Sequence, residues 1–203
     1  MNDADIRDRL HAEFDAAGIP WVDEVRLDKA TRIDMLALID GVLTAIEIKS
    51  GKDTTKRLQR QFAAADYRFR QVLVVTEPRH VASAKAVVGP RCGIWVCEEQ
   101  PRGFFLRRNS RAFGTRKPRP AAEAHPARLT VLLRRSELAA ALGLPPDADA
   151  RKGELDQRLR GNLAQEQIEA IFIDALRGRK LAAGQPHLAS AAGTGLSPRP
   201  RPA

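Results

Sequence analysis

R-I-D-M-L-A-L-I-D-G-V-L-T-A-I-E-I-K, residues 32–49, decides how this chain folds. On either side of Asp40-Gly41 the residues are apolar and often β-branched. Asp-Gly closes a two-residue hairpin well, because both of its positions tolerate positive φ. The stretch therefore predicts two antiparallel strands, Ile33 to Ile39 and Val42 to Ser50. Three charges interrupt them: Asp34, Glu47 and Lys49. Side chains alternate along a strand, so Glu47 and Lys49 look to the same side, about 7 Å apart at a rise of roughly 3.3 Å per residue. The hairpin lays the start of its first strand beside the end of its second, which brings Asp34 towards Glu47. Charges on apolar strands are costly to bury unless paired or metal-bound, and such a conflict between pattern and charge marks a site.

Outward from the hairpin, Trp21 to Leu27 predicts a preceding strand, completing a three-strand meander. Before it, Ile6, Leu10, Phe14 and Ala17 recur at helical spacing, with Asp3 as the expected cap and Gly18 and Pro20 as the stop. After it, Asp53 and Thr54 can cap a helix whose stripe is Leu58, Phe62, Ala65 and Phe69. Gln71 to Thr76 is a short continuous apolar run, as expected of a strand covered on both faces. Val81 to Val88 predicts a short helix, Gly93 to Cys97 a strand, and Gly103 to Leu106 its hairpin partner. The order is helix, three strands, helix, strand, helix, strand: a mixed α/β domain with a central sheet flanked by helices, over 1–108. Residues 109–127 are rich in Arg, Lys, Pro and Ala and predict a basic linker. Apolar residues resume at helical spacing from Leu129 to Leu176, giving a small all-α C-terminal unit over 128–180. The composition of 181–203 cannot offset its ordering entropy and predicts a disordered tail.

The 203 residues suffice for one full core and a small appendage. With 34 Lys and Arg against 25 Asp and Glu, the net charge is +9, which favours polyanions and makes nucleic acid the first partner to consider. Cys92 and Cys97 are too few for a disulfide framework and lack zinc-finger spacing, so buried hydrophobes in a strand are expected. No basic segment leading into an apolar one opens the chain, and no apolar run nears the roughly 20 residues of a bilayer span. A cytoplasmic protein without membrane contact is expected.

Two carboxylates, Asp34 and Glu47, are hard oxygen ligands suited to Mg²⁺ or Mn²⁺, which keep open positions for water and a substrate phosphate. Such an ion polarises a phosphodiester and acidifies water, and Lys49 can orient that water or offset charge on the phosphorus centre. Gln61, one turn from Leu58 at the edge of its helix stripe, can point to the same end of the sheet. The plainer alternative for Glu47 and Lys49 is a cross-face ion pair on a half-solvated sheet, worth about 0 to 1 kcal/mol.

Asp34, then Glu47-Ile48-Lys49, then Gln61, in this order of elements, resembles the PD-(D/E)XK nuclease superfamily, whose restriction-endonuclease-like core is helix, three-strand meander, helix, strand. More narrowly, E-I-K-S-x-x-D-T-x-x-R-L-x-x-Q resembles small bacterial sce-family proteins within it. The resemblance covers roughly residues 1 to 100. It implies Asp34 and Glu47 as metal ligands, Lys49 as the catalytic lysine and Gln61 as an accessory residue. Glu13 on the first helix would be the additional acid some members carry, with Glu24 as a competitor. The departure is Ile33, where the superfamily pattern has Pro before the acid.

Lys52, Lys56, Arg57 and Arg60 follow the site and could neutralise phosphates flanking a scissile bond, or simply solvate a helix face. Arg107, Arg108, Arg111, Arg116, Lys117 and Arg119 crowd the linker, without the interleaved aromatics of a single-strand stacking platform. In the tail, S-E-L-A-A-A-L-G-L-P-P followed by R-K-G-E-L-D-Q-R-L resembles SAP-like modules, which implies Arg151 and Lys152 as phosphate contacts. A helical hairpin for packing or a homodimer is the alternative. Three functions stay open at this point: a metal-dependent DNA nuclease, a non-catalytic DNA-binding module of the same fold, and an interaction or assembly protein built on the helical tail.

Overall fold

The computed structural model describes residues 2–28, 30–49, 55–88, 92–100, 103–108, 120–123 and 125–183. Helix α1 (Asp3–Ala16) starts one residue earlier than its sequence suggests. Asn2, rather than Asp3, is the cap: its side chain accepts from the Asp5 N–H at 3.0 Å, and the Asp5 carboxylate accepts from the Asn2 N–H at 2.8 Å. This reciprocal capping box satisfies two backbone donors where Asp3 would satisfy one.

Strands β1 (Trp21–Arg26), β2 (Arg32–Ile39) and β3 (Val42–Lys49) follow as the expected meander. Asp40 at φ 50° and Gly41 at φ 75° make the two-residue turn between β2 and β3, the left-handed pair that matches strand twist. Helix α2 (Thr55–Arg68) leads to β4 (Gln71–Thr76), helix α3 (Val81–Val88) to β5 (Gly93–Gln100), and β6 (Gly103–Arg108) closes the sheet. The six strands lie in sequence order. The first three and the last two pair antiparallel, whereas β3–β4 and β4–β5 pair parallel, with a helix in each crossover. The fold is thus mixed α/β, with a mixed central sheet flanked by helices and a helical C-terminal region.

Both faces of the sheet are covered. On one, Ile6, Leu10 and Phe14 of α1 pack over Met35, Ile46, Ile48, Leu73 and Val75. On the other, Leu36, Leu43, Ala45, Val72 and Val74 meet Ala65 of α2, Phe69 just past its end, and Val81, Ala84 and Val88 of α3. The unbroken apolar run of β4 follows from this double burial, Val72 and Val74 facing one way and Leu73 and Val75 the other.

The C-terminal helices are α4 (Ala127–Thr130), α5 (Arg135–Ala141), α6 (Lys152–Asn162) and α7 (Gln165–Ala182). They do not stand apart as a small unit. Leu138, Leu155, Leu159, Phe172, Ile173 and Leu176 join the same core as Leu36, Leu43 and Val72 of the sheet. The sequence pattern shows that each helix has an apolar stripe but not what the stripe meets. At the α7 contact Glu169 is 1% exposed. It accepts from the backbone N–H of Leu43 at 2.8 Å and from Gln165 at 2.9 Å, with Arg70 3.7 Å away. Arg135 donates to the carbonyls of Pro146, Ala148 and Ala150 and so holds the turn between α5 and α6. Of the positions expected as a linker, 109–127, residues 109–119 and 124 lie outside the described residues, as does most of the tail, 184–203; Ala121–Glu123 form a short 3-10 turn and Ala127 already begins α4. Among the described residues no helix is long and apolar enough to cross a membrane.

Candidate active site

The meander departs from ideal alternation at one level. Val22 and Val25 of β1 enter the same core, as do Ile33 and Leu36 of β2, although residues three apart on a regular strand face opposite ways. The shift falls at Glu24 and Asp34. Glu24 lies at φ 53°, a left-handed conformation unusual for a side-chain-bearing residue. Strand β2 leaves its ladder with β3 here: the last matched pair is Met35 with Ile46. The Asp34 side chain takes over, its Oδ2 accepting from the Ile48 N–H at 2.9 Å. The Asp34 carbonyl accepts from Arg7 of α1 at 2.9 Å. Asp34 thus bonds to the backbone of the residue between Glu47 and Lys49.

Glu47 is 2% exposed and Lys49 8%. By alternation both face away from Ile46 and Ile48, towards the side that α2 covers. Gln61 of α2 donates its amide to Glu47 Oε2 at 2.7 Å and to the Arg32 carbonyl at 3.2 Å. It therefore ties the helix both to the buried carboxylate and to the start of β2. Lys49 is held through its backbone, where Thr76 of β4 donates its hydroxyl to the Lys49 carbonyl at 2.7 Å. The four residues singled out in the sequence, Asp34, Glu47, Lys49 and Gln61, thus gather where β2, β3 and α2 meet.

Other expectations fare differently. The α1 side chain bonded at Asp34 is that of Arg7; Glu13 lies about 9 Å further along the helix at 1.5 Å per residue, where it engages Arg9. Arg7 also pairs with Asp23 at 3.2 Å, beside His11, which approaches the same carboxylate at 2.7 Å and stacks on Trp21. The i, i+4 spacing of Arg7 and His11 was the available signal for this anchor, since both fall on one helix face. Glu24 is an exposed partner of Arg32 at 3.3 Å. Lys52 and the side chains of Lys56 and Arg57 lie outside the described residues. Arg60 is exposed and, with Ala30, Thr31, Arg32 and Gln61, lines a cleft of about 310 Å³. Arg151 is the cap residue of α6, and Lys152 donates to the Val131 carbonyl at 2.9 Å.

Among the described residues no three His, Cys, Asp or Glu side chains form a cluster able to hold a metal. A pair of carboxylates is nonetheless a donor set that fits Mg²⁺ or Mn²⁺. Mg²⁺ in particular keeps several waters and is commonly held by one or two carboxylates plus a substrate phosphate rather than by a protein cage. The cysteines are not part of the site. Burial pushes the Cys92 thiol up to about 12, a backbone hydrogen bond at Val74 opposing and the charges of Asp66 and Glu47 adding to it; burial likewise raises Cys97. Both thiols should stay unreactive towards a soluble aromatic disulfide at pH 8 until denaturant is added. Rapid labelling of the native protein would show that β5 opens.

The family model described as Bacteriophage P4 protein cII matches residues 18–188, from just before β1 to beyond α7. No curated protein matches the sequence. Among solved structures, SPO1766, a protein of unknown function from Silicibacter pomeroyi, is similar at 16% identity and a TM-score of 0.45, over 65% of this chain and 81% of that one.

Proposed function

We propose that this chain, which belongs to the Bacteriophage P4 protein cII family, is a divalent-metal-dependent nuclease of the PD-(D/E)XK kind that hydrolyses DNA phosphodiester bonds. The observation that carries the reading is the junction itself: a nearly buried Glu47 hydrogen-bonded by Gln61, with Asp34 bonded to the backbone beside it. A carboxylate buried on a central strand costs stability unless it is paired or metal-bound, and this one faces the same side as a lysine two residues on.

Asp34 and Glu47 would hold Mg²⁺ or Mn²⁺, which when bound supplies Lewis acidity at the phosphodiester. The chain's own residues do the rest. The Ile48 N–H and the Gln61 amide each fix one carboxylate oxygen, so Asp34 and Glu47 are oriented before substrate arrives. Lys49 carries the positive charge that offsets the negative charge gathering on the phosphoryl oxygens, and it can orient the attacking water. The Thr76 hydroxyl fixes the strand at Lys49 and limits its freedom to swing away. Net positive charge favours the polyanionic substrate through counterion release.

The test is cleavage of labelled linear, nicked and single-stranded DNA with Mg²⁺ or Mn²⁺, comparing the parent with Lys49→Ala prepared identically. The parent should cleave, and the variant should be slower by on the order of 10²- to 10³-fold, the scale for one charge-stabilising donor. Equal cleavage by both would assign the activity to a contaminant and sink the proposal. A second reading, a DNA-binding module without catalysis, is favoured by one observation: hydrogen bonds within the protein already engage both acids. It expects salt-sensitive binding unaffected by Glu47→Ala and no cleavage with any metal.

A further inference from the structure

We infer that the cleft between the β1–β2 connection and α2 is the subsite for a backbone phosphate next to the scissile one, an inference that rests on the nuclease reading. Five described residues line it: Ala30, Thr31, Arg32, Arg60 and Gln61. Two are arginines and none is acidic. Arg60 has no ion-pair partner among the described residues, and the partner of Arg32, Glu24, is itself 47% exposed. An ion pair so open to water contributes little, so a phosphate can replace Glu24 at Arg32 at small cost. Guanidinium groups suit this role because their planar fork donates two hydrogen bonds to one phosphate.

The cleft is also coupled to the acids. Gln61 forms part of its wall, and the same amide bonds Glu47 Oε2 and the Arg32 carbonyl. A phosphate held by Arg32 and Arg60 therefore lies one side chain away from Glu47. The cleft volume of about 310 Å³ is at the small end for ligand sites, enough for one nucleotide unit rather than a folded partner.

The experiment measures binding of fluorescent duplex and single-stranded oligonucleotides in EDTA, so that no cleavage intervenes, across a salt series. Parent, Arg32→Ala, Arg60→Ala and Arg158→Ala are compared, the last removing an exposed charge on α6. Loss of one phosphate contact should lower the slope of log Kd against log salt by about 0.9 on duplex, or about 0.7 on a single strand. That loss is expected for Arg32→Ala and Arg60→Ala and not for Arg158→Ala. An unchanged slope in the two cleft variants, an equal loss in all three, or no binding by the parent would overturn the subsite. Inorganic phosphate at constant ionic strength should displace the strand from the parent more readily than from Arg60→Ala, because both compete for the cleft; equal displacement from the two would place the strand's phosphates elsewhere and overturn the subsite. Failures are distinguishable. Cleavage lost in Lys49→Ala with slopes unchanged in the cleft variants removes only the subsite; no cleavage by the parent with a reduced slope in Arg60→Ala removes only the nuclease.

Discussion

Glu47→Gln should abolish metal-dependent cleavage, by at least on the order of 10²-fold, while leaving the protein as stable as the parent or slightly more so. The amide has nearly the shape of the carboxylate and can still accept the Gln61 hydrogen bond now made at 2.7 Å. It cannot supply the negative charge that a metal ion requires. Because Glu47 is 2% exposed, the parent bears the cost of keeping a charged group out of water, and the neutral variant does not. Stability and activity are therefore expected to move in opposite directions, as at other functional sites. Thermal melts beside cleavage assays check both halves. Unchanged cleavage in a folded Glu47→Gln protein would remove Glu47 from the chemistry, and a large loss of stability would make it a structural residue.

The second large effect concerns α7. Glu169→Ala should destabilise the protein by about 3 kcal/mol, the scale for leaving a buried hydrogen-bonded charge network without one member. The substitution strands the Leu43 N–H, which now donates to Glu169 at 2.8 Å, and removes a carboxylate from beside Arg70, leaving that of Glu166. Glu169→Gln tests the charge alone. Burial raises the Glu169 carboxyl above the ordinary carboxylate range, against the lowering influence of the Leu43 N–H, Gln165 and Arg70. The folded state then holds a proton that the unfolded state has released, over the interval from the ordinary carboxylate value up to the raised one. Stability falls as pH rises through that interval. The parent should accordingly gain stability relative to Glu169→Gln as the pH is lowered through it, as denaturant titrations of both proteins at several pH values would reveal. A difference independent of pH would mean that Glu169 titrates alike folded and unfolded.

The parts of this architecture legible in the sequence are those fixed by local pattern. Asp40-Gly41 gives the hairpin because its backbone demands are local, and β4 ends at the expected residues because both of its faces are buried. Asp34, Glu47 and Lys49 are conspicuous because they oppose that pattern. What escapes is determined at a distance. The shift of alternation at Glu24 and Asp34 arises from one positive φ and a side chain replacing a ladder bond, and neither leaves a trace in apolar periodicity. Glu13 stands out on α1 as an acid, with Glu24 as its competitor, whereas the helix is anchored to Asp34 through a cation, Arg7. The C-terminal helices looked separate because a basic, proline-rich stretch precedes them. The contact that binds them to the sheet, Leu43 to Glu169, spans 126 residues.

That separation governs the order in which the chain can fold. The meander and its hairpin use neighbouring residues and can form early, but the face that carries Leu36, Leu43 and Val72 is completed only when Phe172 and Leu176 arrive. A contact of such high sequence separation slows folding, since the entropy of closing a long loop is spent before the contact returns anything. During synthesis the half-built sheet waits for α7 to leave the ribosome with an apolar face still wet. A stalled or truncated chain is therefore a natural client for chaperones and a natural target for proteases.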